Sequence, residues 1–156
     1  MKIINIIDNS SLLEFLNNIN TPTLLRVYSN NCVYCIAMNE EWEKLQDLIK
    51  KNHKNDSLNI VDVEASFANK LPSNISSNIL GYPTILALKN GEIVKIYEGL
   101  RKISELYEFC QKYLLKKDKN SKNSKKAKNS KKPKKNKKNQ ERKKTKKEKK
   151  PRKKKK

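Results

Sequence analysis

The chain has 156 residues, a formal net charge of +21 and three cysteines. The length predicts one principal domain, and three cysteines are too few for the disulfide scaffold of a small secreted protein. The apolar N-terminal stretch is too short for a signal-peptide core, and no window approaches a transmembrane span. We therefore expect an intracellular protein, cytoplasmic or nuclear, without transmembrane association.

The positive charge is concentrated at the C-terminal end. Residues 116–156 contain 25 basic and 3 acidic side chains, a net charge of +22, whereas residues 1–115 contain 12 basic and 13 acidic side chains. We predict a folded domain over residues 1–115 and a Lys-rich basic tail over residues 116–156. The tail is predicted to be disordered on its own, because it has too little apolar surface to offset the entropy of ordering.

The first elements are short. Residues 3–7 form a β-rich run, and residues 10–18 are predicted to be a helix, with Ser11 and Glu14 spaced as a capping box. Residues 23–28 have the composition of a strand and follow a proline.

A long helix is predicted over residues 32–52, which contain neither Gly nor Pro. Its apolar residues recur at helical spacing; they are Met38, Trp42, Leu45 and Ile49. A strand follows at residues 58–63, and only a short helix can be placed in residues 66–80.

The last elements are a hairpin and a helix. Two β-rich runs flank Asn90-Gly91, a dipeptide that favours a tight turn, and residues 102–115 have one apolar side. The resulting order, β-α-β-α-β-α-β-β-α, predicts an α/β fold with a mixed sheet flanked by helices.

Two cysteines, Cys32 and Cys35, stand where a strand is followed by the long helix. Unsatisfied amides and the helix dipole stabilise a thiolate at such a position, and cysteines in CxxC motifs have pKa values of about 3.5–7.5 instead of about 8.5. Cys32 is the predicted nucleophile, and Cys35, one turn later, the resolving thiol. The pattern indicates a thiol–disulfide oxidoreductase that needs no cofactor or metal.

Two other interpretations of the cysteines remain open. A zinc site needs four ligands, and the chain adds only His53 and Cys110, at a spacing that fits no common pattern. The pair can also be two buried structural thiols. We expect Trp42 and Cys110 to lie in the core and His53, in a polar segment, to be solvated.

Five features together resemble the thioredoxin family, including the domains of protein disulfide isomerases. They are the order of elements, "NNCVYC" at residues 30–35, "GYPT" at residues 81–84 and "KNGEIV" at residues 89–94, followed by Gly99 before the last helix. The resemblance covers about residues 1–115. It implies a thioredoxin-like fold, protein disulfides as substrates, and a thiol reductase or oxidase that recharges the cysteine pair.

The resemblance also implies substrate-binding residues. Pro83 corresponds to a proline that is cis in this family and faces the CxxC motif. Tyr82, which precedes it, would offer backbone hydrogen bonds to an extended substrate. Tyr34, between the cysteines, is expected to be exposed and to contact substrate.

One departure from the family concerns a buried charge. Where the family has an acidic residue that takes the proton of the resolving cysteine, this chain has Arg26, and where it has a lysine, this chain has Asp62. An unpaired buried charge is costly, so we predict an Arg26–Asp62 pair beneath the cysteines. Arg26 cannot act as a base but can stabilise a thiolate, which leaves Asp62 as the candidate proton acceptor. Alternatively, Arg26 extends outward to solvent.

Two other functions remain open. "CVYC" also resembles the CPYC motif of glutaredoxins, although the chain has a leading β-α unit and lacks a Gly-Gly pair for glutathione after the proline segment. The domain can also be a redox-inactive interaction module tethered to nucleic acid by the tail.

The basic tail, residues 116–156, is predicted to bind nucleic acid or another polyanion in a salt-dependent way. It has no aromatic residues to stack on bases, so no sequence specificity is expected. "PKKNKK" at residues 133–138 and "PRKKKK" at residues 151–156 are typical of nuclear-import signals. For a viral source, such a tail would package the protein with the genome in the virion.

Overall fold

A computed structural model describes residues 1–115, which form a five-stranded sheet between two layers of helices. The strands are β1 (Lys2–Ile6), β2 (Thr23–Tyr28), β3 (Asn59–Glu64), β4 (Thr84–Lys89) and β5 (Glu92–Ile96). The helices are α1 (Asn9–Asn17), α2 (Val33–Asn52), α3 (Ser73–Ser76) and α4 (Ile103–Tyr113), and a 3-10 helix spans Ala65–Lys70. The predicted order of elements is confirmed.

The sheet has the strand order β1-β3-β2-β4-β5. Strand β3 runs parallel to both β1 and β2, whereas β4 is antiparallel to β2 and to β5. The first five residues of both β2 and β3 are buried, since these strands are central and helices cover both faces. The mixed sheet confirms the predicted α/β class.

Alternate residues of β2 belong to different cores. Leu24 packs in the core beneath α2 and α4, whereas Leu25 packs in the core beneath α1 and α3. Successive side chains of a strand point to opposite faces of the sheet. Arg26, two residues after Leu24, therefore faces α2, the helix that begins after the first cysteine.

The hairpin between β4 and β5 is confirmed. Asn90 and Gly91 have φ angles of 52° and 76°. Positive φ at both central residues suits a tight hairpin turn, and Gly and Asn tolerate it best.

The predicted cap of α1 is wrong. The N-cap residue is Asp8, whose carboxylate accepts a hydrogen bond from the Ser11 amide at 2.8 Å. Ser11 lies three residues into the helix, and its hydroxyl accepts the Asp8 amide at 3.3 Å. The capping box is present, but it begins at Asp8 because this carboxylate precedes Ser11 by the required spacing.

The prediction that His53 is solvated is also wrong. Only 4% of its surface is exposed, and its ring nitrogens lie 2.9 Å from the Asp56 carboxylate and 2.9 Å from the Tyr107 hydroxyl. The residues around His53 in sequence are polar, but α4 covers the histidine in the fold. The polar partners from both sides make its burial tolerable.

Among residues 1–115, no helix combines the length and apolar character needed to cross a membrane. The predicted basic tail, residues 116–156, lies outside the described residues, so its disorder stays a prediction.

Candidate active site

Cys32 forms the N-cap of α2. Its backbone carbonyl accepts hydrogen bonds from the amides of Cys35 and Ile36, each at 3.0 Å, and its sulfur accepts the Cys35 amide at 3.2 Å. The first turn of α2 contains no acidic side chain. No carboxylate there opposes a thiolate at the positive end of the helix dipole.

The cis-proline loop lies against Cys32. The Tyr82–Pro83 peptide bond is cis, which confirms the conformation that the resemblance implied. The partly exposed Cys32 thiol donates a hydrogen bond to the Tyr82 carbonyl oxygen at 3.4 Å. The backbone of the residue before Pro83 is thus brought next to the sulfur of the predicted nucleophile.

The surroundings of Cys32 favour its thiolate. The hydrogen bond with the Cys35 side chain lowers the pKa of Cys32 below its ordinary value, against some desolvation. Hydrogen bonds from the Cys35 and Tyr34 amides and the charge of Arg101 lower the pKa further. The sulfur is therefore ionised at a lower pH than a free thiol would be.

Cys35 has the opposite environment. It is 1% exposed, and burial, together with the hydrogen bond to Cys32 and the charge of that sulfur, raises the pKa of Cys35 to about 11. A hydrogen bond from the Ser29 amide and the charge of Arg26 act against this rise. The two thiols thus differ in exposure and in acidity, as a nucleophile and a resolving thiol must.

The predicted pairing of Arg26 with Asp62 is confirmed. The two residues are register partners on the parallel strands β2 and β3, and Arg26 Nε donates to Asp62 Oδ1 at 2.7 Å. Each side chain is 8% exposed. Arg26 therefore does not extend outward, and its charge is compensated inside the domain.

Three residues of α2 complete this buried pair, and the sequence analysis did not identify their part in it. Asp62 Oδ2 accepts Trp42 Nε1 at 3.0 Å and Gln46 Nε2 at 3.3 Å, while Arg26 Nη1 donates to Asn39 Oδ1 at 3.0 Å. The guanidinium also stacks on the Trp42 ring, 4.7 Å from its centroid. These residues follow Cys35 at intervals of three or four, so they lie on the same face of α2. This spacing was the sequence signal that could have predicted their contact with the buried pair.

Trp42 therefore does more than fill the core. It is 1% exposed, as predicted, and its ring and its N–H contact both members of the ion pair. The pair lies under the turn of α2 that follows Cys35, since Asn39 is four residues after that cysteine. This position explains why the charge of Arg26 reaches the resolving thiol.

Asp62 has no described contact with either cysteine, and both of its carboxylate oxygens accept hydrogen bonds. The geometry thus supports an anchoring role for this carboxylate. Its role as a proton acceptor stays a prediction.

Tyr34 and Arg101 border the exposed side of the cysteine pair. Tyr34 is 68% exposed, as the resemblance implied, and the Arg101 guanidinium lies over its ring, 5.8 Å from the centroid. Arg101 was not predicted as a site residue. The only signal was its place just after Gly99, in the loop before the last helix.

Metal ligands do not converge anywhere in residues 1–115, where no group of three or more His, Cys, Asp or Glu side chains is placed to hold an ion. Cys110 is buried in α4, as predicted, and burial raises the pKa of its thiol to about 12. His53 is held by Asp56 and Tyr107 at the far end of α2. Neither residue joins the cysteine pair.

Comparison with known proteins finds similarity to several protein disulfide-isomerases. The chain is 34% identical over 83 residues to protein disulfide-isomerase A4 of Homo sapiens, a match that covers 53% of this chain and 12% of that protein. It is 27% identical over 107 residues to protein disulfide-isomerase 1 of Caenorhabditis elegans, a match that covers 69% of this chain and 21% of that protein. The chain spans 12–21% of the length of the curated relatives that it matches.

Solved structures share the fold. A mutant thioredoxin from Halobacterium salinarum NRC-1 superposes with a TM-score of 0.53 at 18% identity, over 73% of this chain and 92% of that chain. Residues 4–112 match the thioredoxin family model. This match covers more than half of the sequence, and the chain belongs to the thioredoxin family.

Proposed function

We propose that the protein is a thiol–disulfide oxidoreductase that acts on protein disulfides through Cys32 and Cys35. The observation that carries the proposal is the contrast between the two sulfurs. Cys32 is accessible at a helix N-terminus with a lowered pKa, and Cys35 is buried behind it with a raised pKa. Only the first sulfur is poised for attack on an external disulfide.

The first step is the attack of the Cys32 thiolate on one sulfur of a substrate disulfide. The substrate S–S bond breaks, its second sulfur leaves as a thiolate, and a mixed disulfide joins Cys32 to the substrate. We assign the Tyr82 carbonyl the role of accepting a backbone amide of an extended substrate strand, and its position 3.4 Å from Cys32 Sγ supports this. Pro83 fixes this loop, and the exposed ring of Tyr34 offers apolar contact.

The second step uses Cys35. Once Cys32 is bonded to the substrate, its negative charge is gone, so this contribution to the raised pKa of Cys35 is lost while the opposing field of Arg26 remains. Cys35 then gives up its proton and attacks Cys32 Sγ. The internal disulfide forms, and the substrate cysteine leaves with both electrons of the broken bond.

One cycle thus transfers two electrons to the substrate and leaves Cys32 and Cys35 oxidised. The two substrate thiolates take up two protons from the surrounding water, which receives the protons that Cys32 and Cys35 lose. A reducing dithiol protein must restore them, and with an oxidising partner the same steps run in reverse. We assign Arg26 the role of a positioning residue that stabilises the Cys35 thiolate. Asp62 holds Arg26 in place, and its added role as a proton acceptor through water is part of the proposal.

The basic tail adds a polyanion-binding function to the proposal. The support is its charge, +22 over residues 116–156. Such a density of Lys side chains binds phosphate backbones by releasing counterions. The proposed ligands are nucleic acid or another polyanion.

Insulin-disulfide reduction with dithiothreitol tests the enzymatic proposal. Wild type should accelerate insulin precipitation well above the uncatalysed rate, and Cys32→Ser should return it to background because no nucleophile remains. Cys110→Ala, at the buried third thiol, is the control and should keep the wild-type rate. Equal background rates for wild type and Cys32→Ser would favour the redox-inactive interaction module.

Opposite neutralisations of the buried ion pair test the roles of Arg26 and Asp62. Arg26→Gln should raise the pKa of Cys35, because the cation that lowers it is gone. Asp62→Asn should lower it, because the charge of Arg26 is no longer offset. NMR titration of labelled cysteines measures the pKa of each thiol. Lys112→Gln, at an exposed position on α4, is the control and should leave the pKa of Cys35 unchanged.

Shifts of the same sign, or none, in the two variants would reject the electrostatic role of the pair. If Asp62→Asn instead slows resolution of the mixed disulfide while the pKa of Cys35 falls, the carboxylate acts as the proton acceptor.

Removal of the tail tests the polyanion proposal. A chain that ends at Leu115 should retain insulin reduction and lose retention on heparin, and the full chain should elute earlier as salt rises. Equal retention of the two forms at low salt would refute the assignment of binding to the tail.

A further inference from the structure

A groove of about 260 Å³ lies beside the cysteine pair, between the start of α2 and the loop before α4. Its walls include Tyr34 and Met38 from α2 and Leu100 and Arg101 from the loop. Tyr34 and Leu100 are each 68% exposed. The groove therefore offers two exposed apolar side chains and two cations, Arg101 and Lys102, of which Lys102 is paired with Glu41.

The one carboxylate among the groove's lining residues, Glu41, is already engaged, and so is Glu105 in the first turn of α4. Glu41 accepts the Ile103 amide at 2.7 Å and Lys102 Nζ at 3.4 Å, and Glu105 accepts the Leu100 amide at 2.8 Å. Arg101 takes part in no ion pair within residues 1–115. Its guanidinium is held instead over the ring of Tyr34.

We propose that this groove selects substrate segments with an Asp or Glu side chain near the reactive cysteine, and that Arg101 binds the carboxylate. The inference rests on the proposed oxidoreductase function and names its substrate class. A guanidinium presents a planar set of donors that matches a carboxylate with two parallel hydrogen bonds. The apolar walls accommodate the side chains that flank the acidic residue.

The position of Arg101 sets the spacing. Its guanidinium lies over the ring of Tyr34, two residues after Cys32, and the substrate sulfur must come within bonding distance of the Cys32 thiolate. An extended strand rises about 3.3 Å per residue. An acidic residue one to three positions from the substrate cysteine therefore comes within reach of Arg101.

Two disulfide-linked peptides of identical sequence, except for Glu or Lys two residues from the cysteine, test the proposal. Wild type should reduce the Glu peptide with a kcat/KM about two- to fivefold above that of the Lys peptide, the range expected for an exposed ion pair. Arg101→Glu should reverse the preference. Lys112→Glu carries the same charge change beside Tyr113 on α4 and should leave the preference as in wild type.

A preference that is absent from wild type, or that Arg101→Glu and Lys112→Glu change equally, would overturn the inference. If neither peptide is reduced above the rate of Cys32→Ser, the oxidoreductase proposal itself fails. Alkylation of Cys32 then decides the inference independently, since it requires no turnover.

The alkylation experiment compares iodoacetate, an anion, with neutral iodoacetamide. The ratio of their rates cancels the thiolate fraction and reports the local potential, because both reagents form the same S–C bond and release iodide. Arg101→Gln should lower the iodoacetate-to-iodoacetamide ratio by about two- to threefold, as expected for losing one nearby charge in water. An unchanged ratio, or an equal fall in Lys112→Gln, would contradict an anion-selecting role for Arg101.

Discussion

The hydrogen bonds that α2 directs at Cys32 are the interaction on which the proposed chemistry depends. The Cys35 amide lies 3.2 Å from Cys32 Sγ, and the first turn of the helix has no carboxylate to weaken its positive end. A thiolate there replaces the N-cap oxygen that other helices draw from Ser, Thr or Asp. The same turn of α2 buries Cys35. It therefore leaves Cys32 accessible with a lowered pKa and Cys35 buried with a raised pKa.

The buried Arg26–Asp62 pair connects this turn to the centre of the sheet. Burying two charges costs free energy that their attraction recovers only when every donor and acceptor is satisfied. Trp42, Gln46 and Asn39 add three hydrogen bonds to the pair from α2. The fold thus places a permanent cation, paired with a carboxylate, under the resolving cysteine. In our account the cation stabilises the Cys35 thiolate, and Asp62 is the proposed acceptor of its proton.

Local signals predicted most of the fold. The strands, the long helix and the Asn90-Gly91 turn follow from period, composition and turn chemistry. The Arg26–Asp62 contact follows from the family resemblance, which pairs an acid with a lysine at these two positions. The failures have tertiary causes. His53 is buried because Tyr107, more than fifty residues later, covers it. Arg101 reaches Tyr34 only because the loop before α4 folds back on the start of α2, a contact that no local pattern encodes.

The pH dependence of Cys32 alkylation by iodoacetamide in the reduced protein tests the central claim most directly. A lowered pKa means that thiolate persists at lower pH, so the midpoint for Cys32 should fall below the value of about 8.5 for an unperturbed thiol. Cys35 should stay unreactive until the pH approaches its pKa of about 11. A midpoint for Cys32 at or above the ordinary value, or faster modification of Cys35, would contradict the account.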